Sequence, residues 1–453
     1  VVVPLLAVTA YGATNPPAPT GLTATTPTRV APILHWNAVA DASGGYRIFR
    51  GSTQIGTSTT TGYTDTSLKT SGSYVYTVKA VRVPNKVSVA SAPFTVVYDV
   101  LAPGTVGTLT GKATAGAPVI TWSAVTDTGG SGLRRYDVNR DGTLVGTSTT
   151  PSFTDGSVTA EGSYSYTVRA EDGAGNLGTS SPALNVVVDR TAPSQPPAPT
   201  AAAAVTGSAP QLSWPASSDA GTGVASYQVM RDGIRVATIT QTSFTDSALS
   251  ASGVYSYTVI AVDAVGNASS PSPATSVTYD VTPPPTPTGL SAASPTASSP
   301  SMSWNAVTDT PPGPVSYRIT RDGQTIDTVT ATSYVDAATG DGSHRYTVAA
   351  IDQLGNASGQ AAVTVVVDTG APSTPLGVVA VAAGGNVTVS WAVASDSGTG
   401  VSGYRVTRDG VPVATVTGTL FQEQAGAGST YRVVALDAAG NASPPSLATT
   451  AAP

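Results

Sequence analysis

Cysteine is absent from this chain of 453 residues. No disulfide framework and no thiolate metal site can form. A domain with a full core folds without disulfides, so the absence does not exclude secretion. Charge is scarce as well. Only 11% of residues are Asp, Glu, Lys or Arg, and the formal net charge is −6. A nucleic-acid binder needs a basic stripe, and this chain has none. Glutamates are few and scattered, which argues against the paired carboxylates of a glycosidase. Histidine occurs only at His35 and His344, and no Ser-His-Asp set can be assembled from them. There is no phosphate loop and no zinc motif. The chain reads as non-enzymatic, with no cofactor required. It contains no apolar run of the roughly 20 residues that a membrane-spanning helix takes.

Thr, Ser, Ala, Val and Gly dominate what is present, a profile of strands and turns rather than long helices. Residues 1–15 stand apart as an apolar segment. "VVVPLLAVTA" resembles the end of a signal-peptide core, with Val8-Thr9-Ala10 as a small-residue cleavage site. It also fits the end of an anchor helix, an extra strand on the first domain, or a strand donated to a neighbouring subunit.

Five tryptophans set the period of the rest. Trp36, Trp122, Trp214, Trp304 and Trp391 lie 86, 92, 90 and 87 positions apart, one small domain per repeat. An apolar residue precedes each Trp by two places: Leu34, Ile120, Leu212, Met302, Val389. The residue between is polar, so this is a period-two strand with Trp inward. A second strand follows ("YRIFR", "YDVNR", "YQVMR", "YRITR", "YRVTR"). In four copies it runs into Arg-Asp-Gly, a tight-hairpin signal because Asp and Gly both tolerate positive φ. A short strand ending in "FTD" or "YTD", a "YxYTVxA" strand and a closing "VVVD" or "VTYD" strand complete the unit. His35 takes the outward strand position of Thr or Ser in other copies, and His344 takes that of Tyr74, Tyr164 and Tyr255. Both are strand residues rather than acid–base groups.

Seven short strands with turn signals every 8–12 residues predict an antiparallel β-sandwich. The early Trp, the Tyr-x-Val strand, the Tyr-x-Val-x-Ala strand and the Pro-rich start resemble fibronectin type III modules. The resemblance implies an all-β chain of five tandem seven-stranded sandwiches, at 16–99, 100–189, 190–280, 281–368 and 369–453. The "DxxGNxS…VDxxAP" pattern is similar to bacterial or phage extracellular modules, often found beside polysaccharide-degrading domains. Short Pro-bearing linkers stiffen the array. Five domains of roughly 35 Å each would give a rod of about 150–180 Å.

One element recurs in four copies and fails in the first. Asp-x-x-Gly-Asn follows the "YxYTVxA" strand at Asp172, Asp263, Asp352 and Asp437. The first copy has Arg82 and Lys86 there. Strand direction places this loop, the loop after the Trp strand, and the incoming linker at one pole. Three carboxylates and an Asn should then meet at each junction. The groups are Asp99, Asp127, Asp172 and Asn176; Asp189, Asp219, Asp263 and Asn267; Asp280, Asp309, Asp352 and Asn356; Asp368, Asp396, Asp437 and Asn441. The first domain, expected to have no upstream neighbour, also lacks the motif. Two readings compete. The Asp and Gly-Asn residues are turn formers bonded to loop backbone, or the carboxylates and loop carbonyls bind Ca²⁺.

The functional expectation is a secreted or cell-surface spacer, a semi-rigid rod. Alternatives are a subunit of a filament, pilus or phage appendage joined through the apolar segment, and an adhesive or polysaccharide-associated array. Protein or surface-glycan partners and self-assembly all fit. All five Trp are assigned to core positions and most Tyr face inward, which leaves no stacking platform for a sugar.

Overall fold

The computed structural model describes residues 14–311 and 313–453. The roles expected of the apolar N-terminal segment lie outside the described residues. All regular structure among the described residues is β. No helix there is long and apolar enough to cross a membrane.

The second module shows the pattern. Its tryptophan strand, Val119–Thr121, pairs antiparallel with the short strand Ser152–Thr154. Alternation works as expected: Ile120 and Trp122 are buried, while Val119 and Thr121 are exposed. The opposing sheet has four strands. The tyrosine strand Leu133–Arg140 pairs with its hairpin partner Thr143–Ser148 on one side. On the other it pairs with the long strand Gly162–Asp172, which in turn pairs with the closing strand Leu184–Val188. The hairpin turns at Asp141 (φ 52°) and Gly142 (φ 80°), both left-handed, as a tight primed turn requires. The same pair recurs at Asp232-Gly233, Asp322-Gly323 and Asp409-Gly410.

Each module has its own apolar core, centred on its Trp. The indole meets the ring of the tyrosine strand edge to face. Centroid separations run from 5.1 Å for Trp122–Tyr136 to 5.7 Å for Trp214–Tyr227. Such pairs contribute about 0.5–1.5 kcal/mol beyond the area they bury.

The first strand departs from the antiparallel expectation. In the third module Thr200–Ala201 pairs antiparallel with Gln211–Ser213. Val205–Thr206 then crosses to the other sheet and pairs parallel with the closing strand Thr275–Tyr279. Parallel bridges at Thr28–Tyr98, Thr114–Val188 and Thr296–Val367 repeat the crossing; in the fifth module Val379–Ala383 stays paired with Asn386–Ser390 while Val381 also bridges Ala452 in parallel. The physical reason is edge protection. One split segment covers an open edge of each sheet, and exposed edges invite pairing with other chains.

Candidate functional site at the module junctions

The long strand of each module after the first ends on an aspartate or, in the fourth, one residue before it, and the loop beyond folds back onto that side chain. In the second module the Asn176 backbone N–H donates to Asp172 Oδ1 at 2.8 Å, and Asn176 Nδ2 donates to Asp172 Oδ2 at 2.7 Å. Gly175 sits at φ 85°, where a side chain would be strained. The amide of Asn176 then reaches out of its module. Nδ2 also donates to the carbonyl of Asp99, the last residue before the linker, at 2.9 Å. Asn267 does the same to Asp189 at 3.0 Å, Asn356 to Asp280 at 3.4 Å, and Asn441 to Asp368 at 2.7 Å. A residue that looks like a turn former thus ties two modules together.

The incoming aspartate is buried and bonds to the loop after the tryptophan strand. Thr222 donates both its backbone N–H and its hydroxyl to Asp189 Oδ2, at 2.6 and 2.7 Å. Thr399 repeats both bonds to Asp368 Oδ2. Ser131 takes this place beneath Asp99. The bonds from Thr222 hold the Asp189 carboxyl below the ordinary range, and those from Thr399 do so for Asp368. Burial pushes Asp99 up, but the donors around it, Ser131 foremost, more than offset this. Glycine is needed beside the carboxylate. A Cβ at Gly221 would lie 2.2 Å from Asp189 Oδ2, and one at Gly398 would lie 2.3 Å from Asp368.

The third carboxylate comes from the same loop. Asp219 Oδ2 accepts the N–H groups of Gly221 and Gly223, and Asp396 Oδ2 accepts those of Gly398 and Gly400. Asp127 is held by Gly129 and Gly132. The structure brings together Asp99, Asp127 and Asp172; Asp189, Asp219 and Asp263; Asp280, Asp309 and Asp352; and Asp368, Asp396 and Asp437. Within each trio one carboxylate oxygen per residue lies within 4.8 Å of the others. Among the described residues no Lys, Arg or His pairs with any of these aspartates.

The junction of Asp280, Asp309 and Asp352 differs from the rest. Its loop reads Asp-Thr-Pro-Pro-Gly where the others have glycine, then Ser or Thr. Asp309 accepts only the Thr310 N–H, and its Oδ2 is buried with no partner among the described residues. Burial pushes the Asp309 carboxyl up, with the neighbouring Asp280 and Asp352 adding to the rise.

The first module meets its incoming segment another way. The Arg82 guanidinium donates to the Thr14 carbonyl and pairs with Asp41 at 3.7 Å.

No protein-family profile matches the chain. It is 43% identical over 280 residues to Exoglucanase B of Cellulomonas fimi, covering 58% of this chain and 26% of that protein. Chitinase A1 of Niallia circulans is 37% identical over 169 residues, which is 36% of this chain and 24% of the chitinase. Among solved structures, the fibronectin(III)-like modules of Clostridium thermocellum CbhA align over 40% of this chain and 91% of their own, at 17% identity and TM-score 0.27. The chain is a tandem array of fibronectin type III-like modules. A small tryptophan sheet facing a larger tyrosine sheet, and the Trp–Tyr core between them, repeat in each of them. The array spans about a quarter of the length of these two curated relatives.

One buried constellation escaped the sequence reading. In each fibronectin type III-like module the Arg that closes the tyrosine strand meets the acid that closes the short strand. The pairs are Arg50–Asp65, Arg140–Asp155, Arg231–Asp246, Arg321–Asp336 and Arg408–Glu423, at 2.5 to 2.8 Å. A core tyrosine hydroxyl donates to the same carboxylate, as Tyr166 does to Asp155 at 2.9 Å. Burial raises these phenols first and the adjacent acid raises them further; Tyr431 is pushed up to about 12. The signal was in the sequence. The acid follows its Arg by fifteen positions in all five copies.

Proposed function

We propose that the array is a non-enzymatic spacer of an extracellular protein that works on a polysaccharide. It holds other parts of that protein at a set distance. The surface carries this reading. Every described Trp, Tyr and Phe is at least partly buried, and the exposed large apolar side chains are all Val, Leu or Ile. Sugar-binding faces are built from exposed aromatic rings. Each junction is meanwhile tied by hydrogen bonds from the Asn amide and, at three of the four, from a Ser or Thr. The relatives add support. An exoglucanase and a chitinase are named for different polymers, yet both share stretches of this array, as expected of a part that spaces rather than selects.

The test is sedimentation of the chain with cellulose and with chitin powder, paired with small-angle scattering. The chain is expected to stay in the supernatant and to scatter as a rod of about 150–180 Å. Saturable depletion by either polymer would replace the spacer reading with the adhesive one.

A further inference from the structure

The third junction lacks the donors that quiet the other carboxylates. At the fourth junction Asp368 and Asp396 together accept five hydrogen bonds, from Gly370, Gly398, Gly400 and, twice, Thr399. At the third, Asp280 and Asp309 together accept two among the described residues, from Thr282 and Thr310. The sequence gives the cause. Pro311 stands where Gly398 donates its N–H, and Pro312 stands where Thr399 supplies an N–H and a hydroxyl. Proline has no N–H and no hydroxyl. Asp280, Asp309 and Asp352 are all buried, and Asp309 keeps 4% of its surface. A buried carboxylate oxygen without a partner costs free energy comparable to a lost hydrogen bond or more.

We propose that Asp280, Asp309 and Asp352 bind a single Ca²⁺ between the third and fourth modules. Ca²⁺ takes oxygen ligands at about 2.3–2.6 Å, so oxygens on one ion lie within about 5 Å of each other. The three carboxylate oxygens fall inside that limit, at 4.8 Å or less. The partnerless Asp309 Oδ2 supplies the free electron pair that the other junctions spend on glycine N–H groups. Among the described residues no Lys, Arg or His pairs with these three carboxylates, and with the glycine and hydroxyl donors of the other junctions missing, an added cation would compensate their charge. Ca²⁺ also accepts the irregular geometry of loops better than Mg²⁺ does. Asp352 stays tied through its bonds from Leu354 and Asn356, and so orients the set. Asp219 Oδ1 is also buried and partnerless, but its Oδ2 already holds two N–H groups. The second junction is therefore the weaker candidate.

The test uses the full chain, stripped with chelator and titrated with Ca²⁺ by calorimetry, with Mg²⁺ as the control ion. Melting is followed with and without chelator. One dominant Ca²⁺ site is expected, together with a Ca²⁺-dependent rise in melting temperature. Asp309→Asn should weaken that site by about tenfold or more, as loss of one of three charged ligands implies. Asp396→Asn should leave it unchanged. Terbium luminescence on the unaltered chain, displaced by Ca²⁺, gives a readout that needs no variant to fold. Absence of both heat and luminescence overturns the proposal. So does binding that Asp309→Asn leaves intact. A chain indifferent to Ca²⁺ that Asp309→Asn alone stabilises also overturns it, and shows that a proton fills the place.

Discussion

The third and fourth junctions share an aspartate trio and an Asn amide but differ in how their charge is quieted. At the fourth, glycine and threonine turn backbone and hydroxyl donors onto Asp368 and Asp396. At the third, two prolines stand in those places in the sequence, and Asp309 Oδ2 is left without a partner among the described residues. Identical acids therefore do different jobs according to the donors beside them. The fourth junction is a clasp that the chain satisfies by itself. The third, in the proposal above, is a clasp completed by an added cation.

A scale for the comparison comes from inside a module. Asp155→Ala strips Arg140 and Tyr166 of their shared partner. The expected loss is about 3 kcal/mol, the low end for a broken buried pair, because the arginine is partly exposed. Chemical denaturation should show one module unfolding early while the others hold. Junction variants should act differently, by uncoupling neighbours. Asn441→Ala removes the 2.7 Å bond to the Asp368 carbonyl and orphans Asp437 Oδ2. About 1–3 kcal/mol of coupling between modules four and five should go. Asn356→Ala should cost less in the metal-free chain, since its bond to the Asp280 carbonyl is 3.4 Å. Equal losses at the two junctions would break the contrast.

How far the sequence reached can be judged at these same residues. Period-two alternation around Trp122 and the Asp141-Gly142 turn are local patterns, so the sandwich was legible. The convergence of three loops followed from strand direction alone. Two things were not legible. The crossing of Val205–Thr206 to the opposite sheet depends on how two sheets meet at an edge, and no short window encodes that. The reach of Asn176 to Asp99 spans 77 positions, and Asn after Gly looks the same whether it closes a turn or clasps a neighbour. The Arg–acid–Tyr lock was legible by its constant spacing. It was overlooked because Arg-Asp-Gly already had an explanation as a turn.

Restoring donors should turn the third junction into the fourth. Pro311→Gly with Pro312→Thr gives Asp-Thr-Gly-Thr-Gly, which matches the Gly-Thr-Gly of the fourth junction at 398–400. The double variant should melt higher than the parent in chelator, by the equivalent of about 1–2 kcal/mol for the regained bonds. It should also respond less to Ca²⁺. A variant no more stable than its parent would show that loop composition is not what separates the junctions.

The smallest effect is the most diagnostic, because its sign differs between the two sites. Asp368 has its carboxyl pulled below the usual range by Thr399, so ionised Asp368 stabilises the fold. That stability is present above the unfolded value near 4 and is lost as pH falls through the lower folded value. Asp309 is pushed up by burial and its acidic neighbours, so the reverse holds. In metal-free protein its penalty is absent below pH ~4 and grows as pH rises through the folded value. Melting in chelator from pH 2 to 8 should therefore separate two variants, with the Asp368 change falling below about pH 5 and the Asp309 change above about pH 4. Asp368→Asn should lose ground against the parent as pH rises, and Asp309→Asn should gain it. Added Ca²⁺ should cancel the gain, because the parent then has its charge compensated and the variant has lost a ligand. Parallel pH profiles for the two variants would mean that the prolines change the loop without changing its electrostatics.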